Sequence, residues 1–131
     1  MTIIFKDFKI RGIDISKFND NSNTEKLPDL SKLTDKGLSF VAVRVGYGRV
    51  RDGLFDYYWK YLKKLRIARQ PYFYLDYYSH KSIGYTPAEW GKIQADFAYD
   101  VLKDDPGECP LALDEENSPS YGYKVTIFNS A

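Results

Sequence analysis

The sequence predicts an α/β protein with parallel strands. Two observations carry this. Short β-branched or aromatic runs alternate along the chain with longer segments of helical periodicity, giving strand, helix, strand, helix, strand, helix, strand. Each connection between runs is also long enough to hold a crossover helix, and such crossovers are right-handed as a rule. An open doubly wound sheet and part of a barrel both satisfy this pattern.

Residues 8–16 (FKIRGIDIS) read as a first strand ending in a polar turn, and residues 20–29 as a polar loop. Residues 30–36 form a short helix with Gly37 as its C-cap. Residues 38–45 (LSFVAVRV) are nearly continuous in apolar character, as in a strand buried on both faces. Gly46, Gly48 and Gly53 then break the chain into a loop. Over residues 55–68 the apolar positions Phe55, Tyr58, Trp59, Leu62 and Leu65 recur at helical spacing, with Lys60, Lys63, Lys64 and Arg66 on a solvated face. Residues 71–78 (PYFYLDYY) are the third strand and residues 79–85 a loop. Thr86-Pro87-Ala88-Glu89 is a helix start, with Thr as N-cap, Pro at the first helical position and Glu at the third; the helix runs to about Leu102. A turn over 104–110 leads to the fourth strand, residues 111–114 (LALD).

A length of 131 residues fits one domain, and 28% charged with 44% apolar residues is ordinary for a globular chain. The net charge of +1 argues against a nucleic-acid binder held by charge. No apolar run reaches membrane-spanning length, and the N-terminus lacks a secretory pattern. Cys109 is the single cysteine, so no disulfide within the chain is possible, and neither it nor the single histidine, His80, fits a catalytic relay or a zinc site. Aromatic residues reach 17%, with 12 Tyr, and their flat faces suit sugars as well as cores.

In parallel α/β folds the chemistry sits at the C-terminal ends of strands. Asp14 ends the first strand, Asp76 lies late in the third, and Asp114, Glu115 and Glu116 follow the fourth. If the strand continues, Asp114 and Glu116 share a face and Glu115 points away into solvent. Paired carboxylates raise one pKa and so supply a general acid near neutral pH, the arrangement glycosidases use. An acidic turn or a magnesium site would use the same residue types. No phosphate-cradling loop accompanies them, because Gly46-Tyr47-Gly48 is too short a match.

Five segments resemble glycoside hydrolase family 25, the N-acetylmuramidase lysozymes. They are Gly-Ile-Asp-Ile-Ser at 12–16, Phe-Val-Ala-Val-Arg at 40–44 with Gly48, Asp52 with Phe55, Pro-Tyr-Phe-Tyr at 71–74, and Leu-Ala-Leu-Asp-Glu-Glu at 111–116. Their order and spacing agree with the family over roughly residues 8–117. The resemblance implies a parallel-stranded β/α barrel of the TIM-like type, incomplete, with about the first four or five strands. It implies one glycoside-hydrolase-like domain over 1–131, truncated at its C-terminal end. It implies cleavage of the β-1,4 bond between N-acetylmuramic acid and N-acetylglucosamine in peptidoglycan, with Glu116 as proton donor and Asp14 and Asp114 steadying the charged transition state or the substrate's acetamido group. No cofactor or metal is expected. Tyr72, Tyr74 and Tyr47 are candidates for lining the sugar groove, with Arg44 orienting or pairing a carboxylate and Asp76 beside them.

Two departures stand out. Phe73 occupies a position where the family often has His. Residues 118–131 no longer follow the pattern, although Val125, Ile127 and Phe128 would suit one more strand. An open barrel leaves a strand edge unpaired, so a second copy or a partner chain is expected to cover it. Three functions fit: an active muramidase, a glycan-binding module, and a catalytically silent part of a larger assembly such as a phage particle. Lacking an export signal, the protein would stay in the cytoplasm until lysis or travel with a phage.

Overall fold

A computed structural model describes residues 10–19 and 27–116. Its elements in chain order are β1 (Gly12–Ile15), a 3-10 turn at Lys17–Asn19, a 3-10 helix at Ser31–Lys36, β2 (Phe40–Tyr47), β3 (Val50–Arg51), α1 (Phe55–Lys64), β4 (Arg69–Tyr74), α2 (His80–Ile83), α3 (Pro87–Leu102) and β5 (Ala112–Asp114). The sheet order is β1-β2-β4-β5 with every neighbouring pair parallel, and β3 folds back antiparallel on β2. This is the α/β class predicted, in the form of an incomplete β/α barrel. The suggested strand around Val125, Ile127 and Phe128 lies outside the described residues.

Register separates the two faces of the sheet. Ile15, Val43 and Val41 belong to one face, and the paired residues of β4, Pro71 and Arg69, lie on it too. The centre of that face is dry: Val41, Val43 and Val45 are fully buried against Phe55, Tyr58, Trp59 and Leu62 of α1, with Phe73, Ala98 and Leu102 in the same core, while Ile13 and Leu113 on the outer strands are exposed. The other face carries Asp14, Ala42, Arg44, Gln70, Tyr72, Tyr74, Ala112 and Asp114, which pair across the strands. It is only partly buried. The near-continuous apolar run of β2 is therefore packed fully on the helix side alone.

Several boundaries differ from the sequence reading, each for a local reason. Gly46 was expected in a loop but continues β2, and Val50–Arg51 closes a short hairpin onto it. A Cβ at Gly46 would stand 2.3 Å from the Val50 carbonyl oxygen, so the hairpin needs glycine there. The β2–β4 register shifts between Arg44 and Gly46, a bulge that puts Val45 and Gly46 on the same side and returns Tyr47 to the inner face opposite Tyr74. Helix α1 stops at Lys64 rather than near residue 68, because Arg66 adopts a left-handed φ of 57°. No glycine marks that stop. The 79–85 segment includes the single turn α2, closed by Gly84 at φ 81°.

Other elements form as their residues dictate. The helix before Gly37 is of the 3-10 type, and Gly37 ends it at φ 64°. Thr86 caps α3 in a full capping box: its hydroxyl accepts from the Glu89 amide while the Glu89 carboxylate accepts from the Thr86 amide.

The N-terminal end of β4 holds a buried charge the sequence did not single out. Arg69, 2% exposed, donates to both oxygens of Asp105 and to Glu108, and its guanidinium lies 4.6 Å from the Trp59 ring centroid. The same cluster recruits Lys63, expected to be merely solvated, into a 3.5 Å ion pair with Asp105. Among the described residues no helix is long and apolar enough to cross a membrane.

Candidate active site

The predicted site residues Asp14, Arg44, Tyr72, Tyr74 and Asp114 fall on one face of the sheet, at or near the C-terminal ends of three strands and part-way along β2. Glu116 lies two residues past β5, so the strand does not run through it as supposed. Glu116 is nonetheless close enough to act on the Asp114 carboxyl. Burial, the neighbouring Glu116 and the charge of Asp14 push the Asp114 carboxyl above the usual range, and Arg44 pulls it back.

Tyr74 and Tyr72 adjoin these acids, and Tyr47 packs on Tyr74. Tyr74 donates its hydroxyl to Glu116; its own pKa is raised by burial and by the charges of Glu116 and Asp114. Tyr72 lies beside Asp14, Arg44 and Asp114 and shares a hydrogen bond with the Ser16 hydroxyl; burial raises it first, then Asp14. Tyr47 packs its ring 5.0 Å from that of Tyr74. Its hydroxyl donates to Asp76.

Asp76 is almost fully buried and organises the turn after β4. Its carboxylate accepts from the Tyr78 and Ser79 amides, from the Ser79 hydroxyl and from Tyr47, and these bonds hold it below its usual range against the opposing effect of burial. Its backbone is clasped by Gln94, and its carbonyl accepts the Trp90 indole N–H at 2.7 Å. Its link to the acid-bearing face of the sheet runs through Tyr47. Glu115, expected to be solvated, instead accepts from the Tyr77 hydroxyl; burial and this bond push Tyr77 up to about 12.

Arg44 resolves the choice between orienting a carboxylate and pairing with one. It pairs with Asp52, Nε and one terminal nitrogen each 2.8 Å from Oδ2. The Asp52 side chain is fully buried and also accepts from the backbone amides of Lys17 and Leu54. One carboxylate thereby ties the turn after β1, the arginine of β2 and the start of α1. The Asp-x-x-Phe element had drawn notice in the sequence; its partner eight residues upstream, across the β2–β3 hairpin, had no local signal.

The 3-10 turn at Lys17–Asn19 presents a residue the sequence reading passed over. Phe18 is 74% exposed, yet the Arg44 guanidinium lies 4.8 Å from its ring centroid. Among the described residues no group of three or more His, Cys, Asp or Glu side chains is arranged to hold a metal ion. A recess lined by Lys63, Arg66, Ile67, Ala68 and Glu108 lies at the opposite end of β4, away from the acids.

The fold defines the class, an α/β protein of the β/α-barrel type with acids at the mouth of a parallel sheet. Within that class the chain is similar to the solved structure of a muramidase from Trichobolus zukalii, with a TM-score of 0.60 at 20% identity over 86% of this chain. The chain spans about half the length of that structure, 49% of it. No family model matches the sequence. No curated protein matches it either.

Proposed function

We propose that the chain is a peptidoglycan hydrolase, a muramidase of glycoside hydrolase family 25, with residues 1–131 acting as one glycoside-hydrolase-like unit. The observation that carries this reading is the gathering of Asp14 and Asp114 on one face at the strand ends, with Glu116 close enough to act on the Asp114 carboxyl, in a fold shared with a muramidase. Hydrolysis of a β-1,4 glycosidic bond needs one carboxyl to protonate the departing oxygen and another to support the oxocarbenium-like transition state. Glu116 is the proton donor in this reading, steadied by the Tyr74 hydroxyl. Asp114 and Asp14 supply the negative field opposite the developing positive charge. Tyr72, Tyr74 and Tyr47 line the groove, Arg44 moderates the acids, and Asp76 acts by fixing Tyr47.

Turbidity of purified bacterial cell walls tests the proposal. The parent chain is expected to clear the suspension, and Glu116→Gln to lose about 100-fold or more in rate without any fall in melting temperature. Clearing unchanged in Glu116→Gln would overturn the assignment. Sedimentation with the walls but no clearing by either protein would mark a glycan-binding module instead.

A further inference from the structure

A ring that is three-quarters exposed normally moves freely, but Phe18 is held on every side that the backbone offers. The Lys17 amide is 3.1 Å from both oxygens of buried Asp52. The Phe18 amide donates to the Ser16 hydroxyl at 3.3 Å. The Ser16 amide donates to the Asn19 side chain at 2.8 Å, and the Asn19 amide to the Ser16 carbonyl at 3.0 Å. Ser16 is itself buried, and its carbonyl accepts from the Tyr58 hydroxyl of α1 at 3.3 Å. The ring then rests on the guanidinium of Arg44, which Asp52 grips from its other edge, and the Lys17 ammonium lies 5.2 Å from the ring centroid. An apolar surface fixed in advance loses little freedom when a ligand covers it, and rigid exposed aromatics are where binding energy concentrates.

We infer that Phe18 is a stacking platform for a pyranose ring, placed beside the acid-bearing face of the sheet through Arg44, whose register partner is Tyr72. The electron-rich face of an aromatic ring attracts the C–H groups on the flat side of a β-linked sugar, and the cation beneath the ring keeps its plane in place. Asp52 is a positioning residue here: it touches no sugar and sets both the turn and the arginine. The inference rests on the groove being a glycan groove, as proposed above, and adds a binding contact that the acid chemistry does not require.

The test measures affinity for the tetrasaccharide of N-acetylglucosamine by calorimetry, in the Glu116→Gln background so that no turnover occurs. Phe18→Ala is expected to weaken binding by about tenfold or more, Phe18→Trp to retain it, and Tyr99→Ala, which removes an exposed ring from α3, to leave it unchanged. Because Phe18 is exposed, melting temperatures should agree among these proteins. Equal affinity of Phe18→Ala and Glu116→Gln alone would overturn the platform, as would failure of the Glu116→Gln protein to bind the tetrasaccharide. Clearing of cell walls judges the hydrolase reading separately: binding that depends on Phe18 in a chain that clears nothing retains the platform and removes the catalysis.

Discussion

Asp114 is placed at a cost. Its carboxyl is half-buried beside Glu116 and Asp14, and its pKa is raised in the folded chain. Below the ordinary carboxylate pKa the group is protonated whether folded or not, and contributes no difference. As pH rises past that value the unfolded chain ionises first, so ionisation works against folding until the folded group has also titrated. Asp114→Asn, whose amide can still donate to Glu116, should therefore melt about 3 °C higher than the parent near neutral pH. The gain should vanish below about pH 3. Thermal melts at the two pH values check this; equal melting at neutral pH would show that the acids are not in mutual contact. The acids themselves were legible in the sequence, because strand ends in parallel folds are where such groups collect. Their partners were not. Arg44 meets Asp52, and Tyr77 meets Glu115, through contacts that only the folded chain creates.

Elements were read well where a local chemical marker existed and poorly where none did. Thr86, Pro87 and Glu89 announced the start of α3, and Gly37 announced the end of the helix before it. The end of α1 carried no such marker, because an arginine takes the left-handed turn that glycine usually supplies. A side chain there is strained, and the strain exceeds the freedom that glycine would add to the unfolded chain. Arg66→Gly should stabilise the protein by about 0.5 kcal/mol, read from urea unfolding; a loss of stability would mean that the arginine side chain contributes packing at the foot of β4. The hairpin at Val50–Arg51 was missed for the opposite reason. Three glycines within eight residues look like a loop, yet the first of them is what lets two strands approach each other.

At the scale of the whole molecule the two ends of the sheet have different duties. The C-terminal ends of the strands carry destabilising acids, and the N-terminal end of β4 carries the Arg69 cluster. That cluster joins α1, β4 and the connection into β5. Asp105 and Glu108 are held below their usual range first by Arg69, so the stability they lend is present above the ordinary carboxylate pKa and is lost as pH falls through the lowered values. Both acids are partly exposed, which discounts the charge contribution. Arg69→Met should still cost about 2 kcal/mol through lost hydrogen bonds and stacking on Trp59. It should also flatten the acid limb of the stability profile below the ordinary carboxylate range of about pH 4. An unchanged limb in the variant would show that acid unfolding begins elsewhere. The broad class and the sheet order follow from the alternation of strands and helices; the clamp was invisible because Arg69 sits where the sequence reading expected the link between a helix and a strand.

The bulge in β2 makes residue count as consequential as residue type. From Arg44 onward the strand is out of step by one, and only this offset turns the Tyr47 phenol toward Tyr74 instead of into the helix layer. Homologous swaps at Val45 leave that offset intact. A regular strand of the same length would instead set Val45 opposite Phe73 and Gly46 opposite Tyr74, and the Tyr47 side chain would enter the helix layer. For anyone recombining this segment with that of another barrel, the frame of β2 is therefore the quantity to preserve.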